Sequence, residues 1–351
     1  MGFLEPKKIM FKFRFLKYLT VFSLPATVYL SFMSSGIITY FPVLFFFAFV
    51  PILELCFDSV ASNLKGAKKE EVKNARIYDF LLYMVLPIQY GFLFLFLINV
   101  QDIGLNLVDR IGMISSMGLM CGVLGINIGH ELGHRVEKFD RAIGELLLLS
   151  SLNTHFLPYH NVGHHKNVAT PKDPATARKG EPVFTFWIRS NFSSYQQAWV
   201  IEMNRLKKFN QSFFSFHNRM LIYHFAQLSL LITIFLIFGV AALLSFLAAA
   251  SFGVLLLETV NYIEHYGLLR NVNDHGIYER VKPWHSWNSD HMIGRVILFE
   301  LSRHSDHHYL ASKKYQILDS FEESPQMPTG YPGMMLLSLV PPLWFKVMNP
   351  R

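Results

Sequence analysis

Four short groups of histidines interrupt a 351-residue chain dominated by apolar residues. His130 and His134 form the first group; His160, His164 and His165 the second; His265, alone in NYIEHYGL, the third; His304, His307 and His308 the fourth. Helical side chains three or four residues apart share a face, with Cβ atoms roughly 5 to 6 Å apart, so His130/His134, His160/His164 and His304/His307/His308 can each aim at one point. His165 and His308 directly follow another histidine, point about 100° away from it, and could serve a second ion. Nine neutral imidazoles give each of two metals four or five nitrogens and leave a position open for oxygen, whereas structural zinc closes at four ligands. Spacing alone leaves the element open among iron, copper, zinc and nickel.

Singly, each group has a plainer explanation. HELGH, from His130 to His134, matches the zinc protease pattern with Glu131 as base, but five-residue matches arise by chance. The second and fourth groups could be polar helix ends facing solvent, and His265 a hydrogen-bonded helix-end residue. Co-occurrence of all four argues for a shared metal site. His155, His217, His224, His275, His285 and His291 lack such clustering and are assigned to structure, although His155, His285 and His291 lie close to the motifs.

The elements that must position these residues belong to a membrane protein. Hydrophobic residues make up 52% of the chain and charged residues only 16%, a balance rare in a soluble domain of this length. Apolar stretches at 15–33, 37–57, 80–100, 111–128, 221–238 and 241–263 approach the roughly 20 residues needed to cross the hydrocarbon core. The expected architecture is an all-α integral membrane protein with about six transmembrane helices and a cytoplasmic histidine-rich helical cap. Residues 146–157 are too short to cross, and 334–348 are interrupted by Pro341 and Pro342. The first stretch lacks the cleavage site of a removed signal. With no repeat or long linker, residues 1–351 read as a single membrane-embedded domain, with its catalytic segments at 129–220 and 264–351.

Basic residues accumulate in cytoplasmic loops. Lys7, Lys8, Lys12, Arg14 and Lys17 lie before or at the start of the first stretch, and Lys65, Lys68, Lys69, Lys73 and Arg76 fill the second loop. The connections at 34–36, 101–110 and 239–240 carry only Arg110 and belong outside. Both termini and all four histidine groups then fall on the cytoplasmic side. The net charge of +7 reflects this bias, and no nucleic-acid recognition motif accompanies it. Residues 161–221 read as a polar cytoplasmic insertion whose ATPKDPATARKGEP stretch is a turn-rich, solvated loop. Cys56 and Cys121 fall within proposed spans as small packing residues, so the chain holds no iron–sulfur or rubredoxin-type site of its own.

HELGHR, HNVGHHKNVATPKDPATARKGE, NYIEHYGLLR, LSRHSDHHYLASKKYQIL and the C-terminal PQMPTGYPGMMLLSLVPPLWFKVMNPR resemble the integral-membrane alkane 1-monooxygenases of bacteria. The resemblance runs from about Gly129 to the C-terminus; the N-terminal spans match only in character. Membrane fatty acid desaturases and hydroxylases share the theme of the first, second and fourth groups, while HYG at His265 and RHSDHH favour alkane hydroxylation over action on acyl chains. Tyr159 stands where that family usually has glutamate.

The resemblance implies a non-haem di-iron enzyme of the bacterial cytoplasmic membrane. It would place one oxygen atom of O2 into the terminal methyl of a medium- to long-chain linear alkane, giving a primary alcohol, and reduce the other to water. Two electrons would come from a rubredoxin or ferredoxin-like donor with its NAD(P)H-dependent reductase. Carried over by position, the ligands of the two Fe ions are His130, His134, His160, His164, His165, His265, His304, His307 and His308. Glu131, Glu264 and Asp306 adjoin them and could orient them by hydrogen bonding.

Overall fold

The computed structural model describes residues 13–102 and 104–351; Lys7, Lys8 and Lys12 lie outside the described residues. Among these, the only β pairing is two isolated bridges, so the protein is all-helical. Among the described residues, five helical stretches are long and apolar enough to cross a bilayer. In chain order the helices that matter here are α1 (Arg14–Phe32), α2 (Gly36–Cys56), α3 (Arg76–Val100) and α4 (Leu107–Gly133). They continue with α5 (Lys138–Leu149), α6 (Val183–Lys208), α7 (Arg219–His265), α8 (His304–Tyr309), α9 (Tyr331–Ser338) and α10 (Pro341–Met348). The chain is a multi-pass membrane protein.

The expected pair of stretches 221–238 and 241–263 forms one 47-residue run, α7, broken at Gly239 with φ 80° and ψ 179°. At about 1.5 Å per residue the whole run is more than twice the thickness of the hydrocarbon core, so each arm, not the run, matches a bilayer. Only glycine adopts this backbone geometry without strain. The connection expected at 239–240 is therefore a single non-helical residue. α9 and α10 divide at the two prolines, as expected, and 146–157 splits into the end of α5, a turn and a new helical start at Phe156.

Three expectations fail. The polar insertion contains the 26-residue α6, which buries Val183, Phe186, Ser190, Ser194, Ala198 and Leu206 at helical spacing. Two serines on the buried face, with Phe184, Ile188 and Phe192 exposed on the other, blur the amphipathic signal that would have marked it. The 169–182 segment is only partly solvated: Thr170, Asp173, Ala175, Thr176 and Ala177 are buried, while Lys172 and 178–180 are exposed. Arg189 of α6 holds it by donating to the carbonyls of Pro174 and Thr176 at 2.9 and 3.1 Å, and Gly267 N–H bonds the Ala177 carbonyl at 2.9 Å. Cys121 is buried as expected, whereas Cys56 is exposed at the end of α2.

The basic segments gather at the end of the bundle that carries the histidines. Lys17 pairs with Glu300, Lys69 with Asp319, and Lys314 with Asp79 at 2.8 Å. At the opposite end the two short connections meet, where Asp109 accepts from Gly36 N–H at 2.6 Å and Tyr40 donates to the Val108 carbonyl at 2.8 Å.

Candidate metal centre

His130 and His134 ride on the last turns of α4, which lies unusually close to α5. A Cβ on Gly144 would sit 2.8 Å from the Gly129 carbonyl oxygen, and one on Gly129 2.8 Å from Leu148 Cγ. Real Cβ contacts are never so short, so both positions require glycine, and their backbone contact fixes the end of α4. The second group lies on a π-helical turn, Tyr159–His164, continued by His165–Asn167. α8 carries the fourth group, and His265 is the last residue of α7.

All nine histidines converge, in two sets. Nitrogens of His130, His134, His160, His165 and His307 lie within 4.8 Å of one another, and so do those of His164, His265, His304 and His308. The sets differ from the simple helical expectation at two points, in the second and fourth groups. His160 meets His165, five residues on, at 3.1 Å between Nε2 atoms, while His164 faces His308 at 3.2 Å. An i→i+5 turn brings residues five apart onto one face, so the π-helical stretch sends His164 to the other set. In α8, His304 and His308 remain together and His307 crosses over.

The donor chemistry fits metal ions. Four Nε2 pairs face one another at 3.1 to 3.2 Å: His130 with His307, His165 with His160, His164 with His308, and His304 with His265. Nε2 of His134 is buried without a hydrogen-bond partner, an outlay that native interiors rarely tolerate. Burial, followed by neighbouring imidazoles, pushes His160, His304, His307 and His308 well below their ordinary value. These rings are neutral at physiological pH, the form that binds metal.

The three carboxylates expected to orient the histidines behave differently from one another. Glu264 does touch one: Oε2 lies 3.1 Å from His304 Nε2, and Oε1 accepts from the Tyr331 hydroxyl at 2.7 Å. Glu131 turns to Arg135, at 2.7 Å, and the Tyr315 N–H. Asp306 accepts from Asp319 N–H at 2.6 Å and pairs with Lys313.

Sequence reasoning missed Asp173. Its Oδ2 lies 2.9 Å from Nδ1 of His164 and accepts from Thr176 at 2.6 Å, while Oδ1 accepts from Tyr159 at 2.6 Å. Burial alone would raise this carboxyl, but His164, Thr176 and Tyr159 together bring it down to about 2. Tyr159 thus has a role of its own, holding the acid that holds a histidine. A clue existed in the sequence: Asp173 is the first acid after the second histidine group, and histidines at metals commonly give their second nitrogen to a carboxylate.

The remaining histidines stay outside both sets. His155 packs on Tyr195 with ring centres 5.3 Å apart, His285 accepts from Lys282 N–H at 3.0 Å, and His291 sits 3.1 Å from the Ser289 hydroxyl.

α8 is anchored from below by a buried ionic cluster. Arg303, just before His304, pairs with Asp290 at 3.2 Å and donates to the Leu318 and Ser62 carbonyls at 2.7 and 3.0 Å. Glu300 receives Arg295 at 2.9 Å and the Tyr18 hydroxyl at 2.8 Å, as well as Lys17.

An apolar cavity ends at the histidines. Its walls include Phe46, Val50, Leu119 and Val123 from α2 and α4, and its far end presents His130, His160 and His304 beside Asn127, Asn261 and Glu264. Residues 110–337 match the fatty acid desaturase family. Alkane 1-monooxygenase 2 of Alcanivorax borkumensis is 37% identical over 89% of this chain and 82% of its own length. The alkane 1-monooxygenase of Pseudomonas putida is 37% identical over 86% of this chain and 75% of its own. The chain belongs to the alkane 1-monooxygenase family. A more distant relative, the xylene/toluene monooxygenase hydroxylase component of Pseudomonas putida, is 28% identical over 77% of the chain and 72% of its own length. Metal-capable histidines in this chain thus belong to a metal-dependent oxygenase lineage.

Proposed function

We propose that this protein hydroxylates the terminal methyl of medium- to long-chain linear alkanes to primary alcohols, consuming O2, two electrons and two protons and releasing water. The observation that carries this reading is the junction of a hydrocarbon-lined cavity with nine histidines in sets of five and four. Those nine would hold two iron ions. An unactivated C–H bond offers no proton to a side-chain base, so bound iron would supply the oxidising chemistry.

The chain's own residues bind, orient and exclude water. Apolar walls take up the alkane at about 0.8 kcal/mol per buried methylene. A cavity closed by histidines presents the chain end first, which accounts for terminal selectivity. Asp173 fixes the ring of His164 and thereby the tautomer that leaves Nε2 free toward the site. Glu264, braced by Tyr331, lies on the other side of its ring, 3.1 Å from the Nε2 of His304 that faces His265, so it would stand beside a bound ion and does not fix the tautomer from behind. Cys56 and Cys121 are both free and form no CxxC pair, so electrons come from outside, from a rubredoxin or ferredoxin-like donor with its NAD(P)H-dependent reductase.

Sidedness follows from the basic segments that share an end with the histidines: the metal site and both termini face the cytoplasm of a bacterial inner membrane. Reporters fused after Gly180 and at the C-terminus are expected to read inside, and one at Asn106 outside. The deciding assay supplies purified protein with octane to hexadecane, O2 and a reduced donor, with products identified by mass spectrometry. Primary alcohol supports the reading. Untouched alkane with a desaturated or hydroxylated acyl chain would replace it by a fatty acid desaturase or hydroxylase activity at the same centre.

A further inference from the structure

A second apolar hollow lies against the cavity that ends at the histidines. Val43 of α2, Phe252 and Leu255 of α7, and Leu336 and Leu339 at the end of α9 border it. Phe47, Leu256 and Met335 line both spaces, so these three side chains are the partition between them. Leu255, Leu336 and Leu339 are exposed on the outer side, on or beside helices at bilayer depth.

The polar groups of the outer hollow cancel one another. Trp187 Nε1–H donates to Thr259 Oγ1 at 3.0 Å, and the Thr259 hydroxyl donates to the Leu255 carbonyl at 2.7 Å. Neither is left to attract water or a lipid headgroup, and a tryptophan at the rim suits the boundary between hydrocarbon and interface. What remains is a surface with affinity only for hydrocarbon, opening sideways toward lipid and backed by three flexible or rotatable side chains.

We infer that this hollow is a lateral portal through which a linear hydrocarbon dissolved in the bilayer reaches the metal-site cavity, with Phe47, Leu256 and Met335 as its gate. The inference rests on the hydrocarbon-substrate reading above. An alkane concentrates in the bilayer, so a side opening spares it passage through water. Methionine, unbranched and soft, yields to a passing chain better than a β-branched residue does, and Leu256 and Phe47 need only rotate.

The test plugs the outer hollow while leaving the inner cavity lining unchanged. Val43→Trp and Leu339→Trp are each expected to keep wild-type metal content and melting temperature, and to lower kcat/KM for hexadecane by about tenfold or more, with a smaller effect on kcat. Leu236→Trp, on an exposed face of α7 away from the hollow, serves as a control. A readout that needs no turnover accompanies it: a diazirine-bearing long alkane in phosphatidylcholine vesicles should label Val43, Phe252 or Leu255, and excess hexadecane should compete the label away. Failure of the wild type to oxidise alkane would count against the functional reading, while labelling still reports on the portal. The portal is overturned if both well-folded plugs keep kcat/KM within about twofold, or if a phospholipid-borne diazirine labels the hollow and hexadecane does not compete.

Discussion

Oδ2 of Asp173 lies 2.9 Å from Nδ1 of His164, while Oδ1 of the same carboxylate receives the Tyr159 hydroxyl. The acid therefore aims an imidazole, and the tyrosine aims the acid. Asp173→Asn keeps the shape but removes the charge that favours an N–H on Nδ1. Loss of such a partner lowers metal affinity by about 10- to 100-fold. Iron retention against a graded chelator should show this loss, with Tyr159→Phe falling between the variant and wild type. Equal retention in all three proteins would make the contact incidental.

The two sets of histidines predict two irons per chain and little zinc when the protein is purified anaerobically and analysed for metals. His265 is the informative position, because it has no histidine neighbour in sequence yet faces His304 across 3.2 Å. His265→Ala leaves three histidines in its set and should lose one of the two irons along with activity. Full iron and full activity in this variant would remove His265 from the centre, and a single tightly held zinc with activity retained would reject the di-iron reading.

Much of this centre was legible before the fold was known. Spacing marks eight of the nine histidines that converge, with His265 added by its co-occurrence with them, and hydropathy locates the crossing stretches, because a 20-residue apolar run and an i, i+4 pair are local signals. What was hidden depended on distant packing. The exchange of His164 and His165 between sets follows from a π-helical turn, which histidine spacing does not announce. Asp173 sits in a stretch rich in proline and charge that reads as solvated; only Arg189 and the Gly267 backbone, far along the chain, fold it inward. α6 escaped notice because its buried face carries serines and its exposed face phenylalanines. Glu131 and Asp306 were named for their neighbours in sequence, yet each turns to a cation and a backbone N–H.

The contact between α4 and α5 gives a stability test. Gly144→Ala would place a Cβ 2.8 Å from the Gly129 carbonyl oxygen, and backbone cannot rotate away as a side chain can. Overpacking of this kind costs about 1 to 3 kcal/mol. The expected result is a lower melting temperature in detergent together with lost iron, since the displaced end of α4 carries His130 and His134. Gly91→Ala on α3, where a Cβ meets nothing within 4 Å, should be neutral or slightly stabilising by helix propensity. Similar behaviour of the two variants would mean that the helices adjust freely at Gly144.

Glu300 links acid stability to the histidine helix. Burial pushes its carboxyl up, but Lys17, Arg295 and Arg303 outweigh that effect and hold it below its ordinary value. A carboxyl depressed on folding contributes stability above its unfolded pKa of about 4.3, and that contribution is lost as pH falls through the folded value. Phe299 and Glu300 also adopt left-handed backbone, with φ of 53° and 60°, which costs of order 1 to 3 kcal/mol per residue and must be held by these contacts. Glu300→Gln strands buried arginines, a change worth about 3 to 5 kcal/mol when one partner of a buried pair is lost. Melting temperature measured from pH 7 down to pH 3 should start lower in the variant and fall less steeply on acidification than in wild type. Parallel curves would show that the cluster holds α8 by shape alone, with the charge on Glu300 contributing nothing.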